Sequence, residues 1–358
     1  MRKSAPRSAR QHAQGVLRRR AWGGLWLCVL GLALATVALQ AWHGYSAFRQ
    51  RPLLSTGEML VVIEPGTGFD GIVNRLLVAS GRGPARWDER WYWRLLERES
   101  DIGRRLQAGE YRVKANMLPA DVLQLLASGK VAQYRFTILE GARFAELRRS
   151  LRSDPILQQT LDGLTDGEVL TRIGASERHA EGLFLPETYQ FPRGFSDLDL
   201  LQRAYWAMQR ELTEQWEQRQ PDLPLTSPYE ALILASVVEK ESGQIDEQPQ
   251  VAGVFTNRLR IGMRLQSDPT VIYGLGDAFD GNLRRVDLRT DTPYNSYTRG
   301  GLPPTPIAMP GPHAIRAVLQ PAATEALYFV ARGDGRHHFS RTLREHNQAV
   351  ARYQLGRR

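Results

Sequence analysis

One long apolar segment stands at the start of the chain, ahead of a body in which short apolar runs alternate with polar ones. Residues 21–42 contain no charged side chain. As an α-helix this segment would extend about 33 Å, enough to cross a hydrocarbon core of about 30 Å. Trp22 and Trp42 lie at its ends, where aromatic rings favour the membrane interface. The pattern predicts a transmembrane helix over residues 21–42.

The residues before this segment fix the expected orientation. Residues 1–20 contain no acidic side chain but seven basic ones, and a basic flank stays on the cytoplasmic side. We therefore predict a cytoplasmic tail over residues 1–20, a single-pass anchor in the cytoplasmic membrane and a periplasmic or extracytoplasmic body. A cleaved signal peptide is the alternative, although its apolar region would be only about 7 to 15 residues long. Small residues support that alternative: Ala33, Ala35, Ala38 and Ala41.

Charge and composition narrow the class of protein. The net charge is +9, of which the tail supplies +7, so the body carries only 9 − 7 = +2. A nucleic-acid partner is therefore not expected, because such a partner requires a basic face on the body. The single cysteine, Cys28, excludes an intramolecular disulfide and a cysteine-rich zinc site, and no HExxH motif occurs. We expect no metal and no organic cofactor.

The body divides into two parts after a short linker, predicted at residues 43–55. Residues 56–131 read as a small module with strand, helix, helix and strand in sequence. This layout is similar to that of glycan-binding LysM modules. Residues 132–350 form a larger domain of the same mixed type, and residues 351–358 form a C-terminal tail. The predicted fold class is α+β.

A glutamate on a well-defined helix is the principal candidate for chemistry. Ser227, Pro228 and Glu230 form a capping box that starts a helix, and Gly243 ends it. Glu239 follows Leu232 and Ala235 at helical spacing, so its carboxylate projects from an apolar stripe. Apolar surroundings raise the pKa of a carboxyl group and suit it to act as a general acid. The alternative is a structural carboxylate that is paired with an arginine from another element.

Two loops after this helix offer the side chains that sugars require. Amides, hydroxyls and tyrosine rings supply hydrogen bonds and flat apolar faces to pyranose rings. We expect Gln266, Asp268, Tyr294 and Asn295 to line one groove with Glu239. In the alternative, these residues only shape turns, and Asp268 only caps the turn at Pro269. The substrate-binding candidates in the two loops are Gln266, Ser267, Asp268, Thr270, Tyr294, Asn295 and Tyr297.

Several stretches of the second part resemble the YceG-like endolytic murein transglycosylases. The match runs in order through most of residues 134–347, and the basic tail, anchor and LysM-like module agree with the layout of that family. The matching stretches are EGLFLPETYQF (181–191), ALILASVVEKES (231–242), VFTNRLRIGMRLQSDPTVIYG (254–274), YNSY with GLPPTPIAMPG (294–311) and YFVARGDGRHHFSRTLREHN (328–347).

This resemblance implies lytic cleavage within peptidoglycan glycan strands, at the bond after N-acetylmuramic acid and near sites of new wall synthesis. It makes residues 132–350 the catalytic domain, maps the family's catalytic glutamate onto Glu239, and adds Glu181 and Tyr189 as substrate-binding candidates. The implied partners are glycan strands, the cytoplasmic membrane and peptidoglycan synthases. Two positions depart from the family pattern, where Thr305 replaces a glycine and Met309 an asparagine.

Two other functions remain open at this stage. A hydrolytic muramidase would need a second carboxylate about 5 to 9.5 Å from Glu239, for which Asp268 is the first candidate and Glu181 the second. A membrane-tethered scaffold that only binds peptidoglycan would need no catalytic acid. His337 and His338 follow a glycine-rich turn, and we expect a surface loop there rather than a pair of metal ligands.

Overall fold

The structure is a computed structural model that describes residues 8–356, with side chains over residues 26–356. The first seven residues of the predicted tail and residues 357 and 358 lie outside the described residues. The chain divides into two compact units, Met1–Ala132 and Gln133–Arg358. Both contain helices and short antiparallel sheets, so the α+β prediction is confirmed.

The first unit begins with a helix that is longer than the predicted anchor. Helix α1 spans Ser8–Arg49, and its Trp26–Arg49 part is long and apolar enough to cross a membrane, with a mean hydropathy of 1.6. A signal sequence near an N-terminus would share these properties. The side chains between residues 26 and 42 are exposed, as a lipid-facing helix requires.

The last turns of α1 do not form the linker that was predicted over residues 43–55. Helix geometry continues to Arg49, and Tyr45 and Phe48 are buried in the core of the first unit. The Phe48 ring meets Trp93 edge to face at 5.2 Å, and the Tyr45 hydroxyl donates to the Glu99 carboxylate at 2.6 Å. The aromatic residues therefore hold this stretch as helix.

The remainder of the first unit is a two-stranded antiparallel sheet packed against helices. The two strands pair with Met59 opposite Val113 and Val61 opposite Tyr111, and each of these side chains faces the core. Two helices lie between the strands in sequence, and a third follows the second strand. The elements are β1 (Glu58–Ile63), α2 (Phe69–Ala79), α3 (Trp87–Ser100), β2 (Gly109–Lys114) and α4 (Pro119–Ser128).

The second unit is mainly helical and carries two further antiparallel strand pairs. Strand β3 pairs with β4, and β5 pairs with β6 in a hairpin. Its elements are β3 (Gln133–Thr137), α5 (Phe144–Ser153), α6 (Asp166–Ile173), β4 (Thr188–Pro192), α7 (Asp197–Glu217), α8 (Pro228–Glu241), α9 (Gln248–Arg260), α10 (Asp268–Leu275), α11 (Arg285–Arg289), α12 (Pro312–Leu319), β5 (Tyr328–Ala331), β6 (His337–Ser340) and α13 (Leu343–Tyr353).

Helix α8 is the centre of the second unit. Helices α7, α9, α10 and α12 pack around it, and every residue from 231 to 238 is buried. The predicted apolar stripe is thus an apolar surface on all sides of the helix, which is the pattern of a core helix. Glu239 lies in the last turn, where the helix leaves the core.

Candidate active site

The start of α8 matches its sequence signals in part. The Ser227 hydroxyl accepts a hydrogen bond from the Glu230 N–H at 3.2 Å, and Pro228 is the first helical residue. The Glu230 carboxylate accepts a hydrogen bond from the Thr226 N–H at 2.6 Å and not from the Ser227 N–H, as a capping box would require. The reciprocal half of the predicted capping box is therefore displaced by one residue, while the helix still begins where predicted.

The loop 307–311 follows one face of α8 and reaches Glu239. The Ser236 hydroxyl accepts from the Ile307 N–H at 2.9 Å, and Glu239 Oε2 accepts from the Gly311 N–H at 3.1 Å. Residues 236 and 239 are neighbours on a helix surface, so both bonds hold the loop on the same face. The Glu239 side chain is half-buried and remains accessible from solvent.

A tight turn at Glu140 and Gly141 borders the other side of Glu239. The Gly141 N–H donates to the Met309 carbonyl at 2.8 Å, and the Met309 N–H donates to the Ala142 carbonyl at 2.8 Å. The Lys240 ammonium donates to the Gly141 carbonyl at 3.1 Å. Gly141 has φ +71°, which favours glycine. These bonds fix the turn against the end of α8.

Opposing effects act on the proton of Glu239. Burial is the largest effect and raises the pKa of Glu239, and the negative charge of Glu140 raises it as well. The Gly311 N–H lowers the pKa by bonding the carboxylate, and the positive charge of Lys240 also lowers it. The net result is a raised pKa. Adjacent side chains on a helix point about 100° apart, but the charge of Lys240 still acts on Glu239. A carboxyl group with a raised pKa keeps its proton to higher pH than an ordinary one, which suits it to act as a general acid.

Glu181 is a second buried carboxylate, but it is occupied by internal hydrogen bonds. Its Oε1 accepts from the Phe144 N–H at 2.9 Å and its Oε2 from the Tyr273 hydroxyl at 3.1 Å. Burial raises the pKa of Glu181 to about 7, against these two bonds. Phe144 is the first residue of α5, so the carboxylate also lies at a helix N-terminus, where negative charge is favoured.

Tyr294 extends the same cluster and explains one departure from the family pattern. Its ring meets Tyr273 edge to face at 4.8 Å, and its hydroxyl lies 2.9 Å from the Thr305 hydroxyl. Thr305 is buried and also donates to the Pro306 carbonyl at 2.8 Å. The threonine thus anchors Tyr294, while the other departure, Met309, is fully buried.

The other predicted loop residues gather around Glu241 rather than Glu239. Gln266, Asp268, Tyr297 and Glu241 line a cavity of about 520 Å³ whose lining does not include Glu239. Residues two apart on a helix point about 200° away from each other, which puts the cavity on another side of α8. Gln266 and Asp268, which are expected beside Glu239, thus line a cavity at Glu241.

Within this cavity the acidic groups affect one another. The Tyr297 hydroxyl donates to Asp268 Oδ1 at 2.6 Å. Burial and the charge of Asp268 raise the pKa of Glu241, whereas Ser267 and Arg258 lower it, and the net result is a pKa of about 7. Asp268 is therefore a neighbour of Glu241 and not, by these contacts, the second carboxylate of a site at Glu239.

The remaining candidates are buried and hold the backbone of their loops. The Asn295 amide donates to the carbonyls of Asp287, Leu288 and Thr290 at 3.1, 3.2 and 2.7 Å. The Thr270 hydroxyl donates to the Ser267 carbonyl at 2.7 Å. The Tyr189 hydroxyl donates to the Leu185 carbonyl at 2.7 Å. Because of these contacts, few polar atoms of these side chains are available to bind a ligand.

The sequence analysis missed three residues around these sites: Glu140, Tyr273 and Glu241. The sequence analysis assigns no role to Glu140, although the glycine that directly follows it is a signal for a tight turn. Among residues 26–356, no group of three or more histidine, cysteine or acidic side chains is arranged to hold a metal ion. His337 lies in strand β6, with its Nδ1 at 3.0 Å from the Glu247 carboxylate.

Comparison with known proteins places this chain in a family. Residues 61–352 match the sequence model of the YceG-like family. Over 264 residues the chain is 30% identical to the endolytic murein transglycosylase of Bacillus subtilis (strain 168), covering 69% of this chain and 73% of that protein. It is 26% identical to the endolytic murein transglycosylase of Streptococcus pneumoniae serotype 2, with 69% of this chain covered but only 51% of the relative, about half its length.

A solved structure supports the same assignment. The 2.6 Å crystal structure of a yceG-like protein from Listeria monocytogenes aligns with a TM-score of 0.50 and 27% sequence identity, covering 82% of this chain and 99% of that one. The family match covers well over half of the sequence and includes both Glu140 and the whole of helix α8. The chain belongs to the YceG-like family.

Proposed function

We propose that this chain is an endolytic peptidoglycan lytic transglycosylase with Glu239 as its catalytic acid. The observation that carries the proposal is the half-buried Glu239 carboxyl at the end of the core helix, with a raised pKa and the Gly311 N–H bonded to it. The relatives from Bacillus and Streptococcus are both named endolytic murein transglycosylases. The proposal assigns their reaction to this chain.

One carboxyl group suffices for this reaction. Protonated Glu239 donates its proton to the glycosidic oxygen between N-acetylmuramic acid and N-acetylglucosamine, and the bond to that oxygen breaks. The carboxylate then accepts the proton of the muramic acid 6-hydroxyl, whose oxygen attacks the anomeric carbon and closes a 1,6-anhydro ring. The Gly311 N–H stabilises the carboxylate between the two steps. No water enters the product.

The proximity of Glu140 keeps a muramidase as the second candidate. A hydrolase would use a second carboxylate as nucleophile or as base for water. Glu140 is exposed, and its charge acts on Glu239. In that reaction the product would carry a reducing end instead of an anhydro ring.

Digestion of purified sacculi by the full-length protein tests these functions. We expect muropeptides with 1,6-anhydro ends, each lighter by one water than the hydrolysed form, and we expect long strands to shorten before small fragments accumulate. Mass spectrometry of the products and chromatography of the strands measure both. Reducing ends would instead indicate the muramidase, and intact sacculi would indicate a scaffold.

For the substrate-binding role we propose the side chains that face open space: Gln266, Asp268 and Tyr297 in the cavity at Glu241. The first unit retains the strand, helix, helix, strand order on which the likeness to LysM modules rests, and we propose that it contacts glycan. Peptidoglycan synthases are the proposed protein partners.

We also propose that α1 is a retained anchor with the body outside the cytoplasmic membrane. The apolar Trp26–Arg49 part supports this topology, and so does the basic tail of the sequence. A reporter that is active only after export, fused after Arg358, is expected to be active, and a cytoplasmic reporter at the same site inactive. The reverse pattern would exclude a peptidoglycan substrate.

A further inference from the structure

We propose that Glu140 and Lys240 act as opposing positioning residues that set the pH range over which Glu239 holds its catalytic proton. The inference rests on the proposed role of Glu239 as the acid and assigns a role to the two charges that border it. Neither residue needs to touch the substrate. Glu140 favours the protonated acid, and Lys240 favours the carboxylate.

The geometry places both carboxylates against the same residue. Gly311 donates its N–H to Glu239, and a methyl group added at Gly311 would overlap the carboxylate of Glu140. Glu140 therefore occupies the space beside the Gly311 Cα, and the glycine is required for this approach. The two backbone bonds between the turn at Gly141 and Met309 fix the approach independently of the side chains.

Lys240 is held against the backbone of the same turn. Its ammonium bonds the Gly141 carbonyl, and a methyl group at Gly141 would lie 3.7 Å from the Lys240 Nζ and 3.9 Å from the Glu239 Cγ. The turn at Glu140 and Gly141 thus has a negative charge in its first residue and a positive charge bonded to its backbone, and both charges act on Glu239.

The surrounding elements bring no other charge that acts strongly on Glu239 among the residues the structure describes. The loop 307–311 contributes the Gly311 N–H, which carries no net charge. In helix α12, His313 is exposed two residues beyond it. At the start of α5, the Arg143 guanidinium lies over the Tyr273 ring at 5.6 Å. Removing the charge of Glu140 or of Lys240 therefore tests the effect of neighbouring charges on the pKa of Glu239.

The sign of each change follows from electrostatics. Replacing Glu140 with glutamine removes a like charge, so the pKa of Glu239 falls and the carboxyl loses its proton at lower pH. Replacing Lys240 with methionine removes an opposite charge, so the pKa rises. A general acid is active only below its pKa, so the alkaline limb of the rate profile moves with it.

The test measures the pH dependence of kcat/KM on peptidoglycan for the full-length protein. We expect the alkaline limb to move to lower pH in Glu140→Gln, to higher pH in Lys240→Met, and back toward wild type in the double variant. Glu140→Asp and Lys240→Arg keep the charges and should restore most of the wild-type profile. Glu217→Gln, an equal charge change on the exposed end of α7, controls for net charge, and His313→Gln controls for the neighbouring imidazole.

A second readout does not depend on activity. The carboxyl carbon of Glu239, assigned in ¹³C-glutamate-labelled protein by its loss in Glu239→Gln, is titrated by NMR in wild type and in both variants. Titration shifts in the expected directions without anhydro products would support the positioning role and reject the proposed function. An unmoved titration in Glu140→Gln would overturn the inference. Loss of activity at all pH values without a titration shift would also overturn it, because Glu140 would then act in the chemistry itself.

Discussion

Glu239→Gln is expected to lower the rate of anhydro-muropeptide release by a factor of about 10² to 10⁴ or more while the protein remains folded. Glutamine keeps nearly the same volume and can still accept from the Gly311 N–H, but it cannot donate or accept the catalytic proton. Because burial raises the pKa of Glu239, the carboxylate is disfavoured in the folded state, and its removal should not lower thermal stability.

Glu230→Gln is the matched control, since it makes the same substitution at the other end of the same helix. The amide oxygen can still accept from the Thr226 N–H, so rate and melting should stay close to wild type. A Glu239→Gln variant that unfolds early yet keeps full activity per folded molecule would make Glu239 a structural residue. The catalytic acid would then have to be sought elsewhere in the second unit.

The second large effect is expected in the stability of the second unit as a function of pH. Glu181 and Glu241 each have an ordinary pKa of 4.5 that rises to about 7 in the folded protein. Below pH 4.5 both states carry the protonated forms, and stability is greatest with respect to these groups. As pH rises toward 7 the unfolded chain loses these protons first, so each group lowers the free energy of unfolding by up to about 3 kcal/mol.

Hydrogen exchange of the amides in α8, followed from pH 4.5 to 8 after correction for intrinsic exchange rates, measures this effect in the second unit alone. Glu181→Gln and Glu241→Gln should each flatten the pH dependence and raise protection near neutral pH. Glu217→Gln should leave the wild-type slope in place. If protection is independent of pH in the wild type, or if neither variant changes the slope, the buried carboxyls are ionised without cost and the prediction fails.

The sequence indicated the helix that carries Glu239 but not the side chains around this residue. Ser227, Pro228 and Gly243 predict the ends of α8 because capping acts over only a few residues. The loops at 266–270 and 294–298 were assigned to Glu239 by their chemistry, and a sequence does not tell on which side of a helix a distant loop packs. Asn295 shows the physical reason for part of the error, since the last carbonyls of a helix have no helical partner and the Asn295 amide bonds those of Asp287, Leu288 and Thr290 at the end of α11.

The neighbours of Glu239 could be recognised only in three dimensions. Glu140 lies 99 residues before Glu239 in sequence, and no periodic pattern links them. Their meeting depends on the backbone pairing of Gly141 with Met309, which lie 309 − 141 = 168 residues apart in sequence. The same holds for Tyr273, whose hydroxyl reaches Glu181 from another helix.

The continuation of α1 into the core of the first unit limits how far that unit can move from the membrane. A flexible linker would let that unit sample a wide volume. A helix that is packed into the unit through the contact of Phe48 with Trp93 is instead a rigid connection. With α1 crossing the bilayer as proposed, Phe48 stands only about 9 Å along the helix beyond Trp42. The first unit would then be held at a fixed height, and the glycan that it is proposed to contact would be the glycan nearest to the membrane surface.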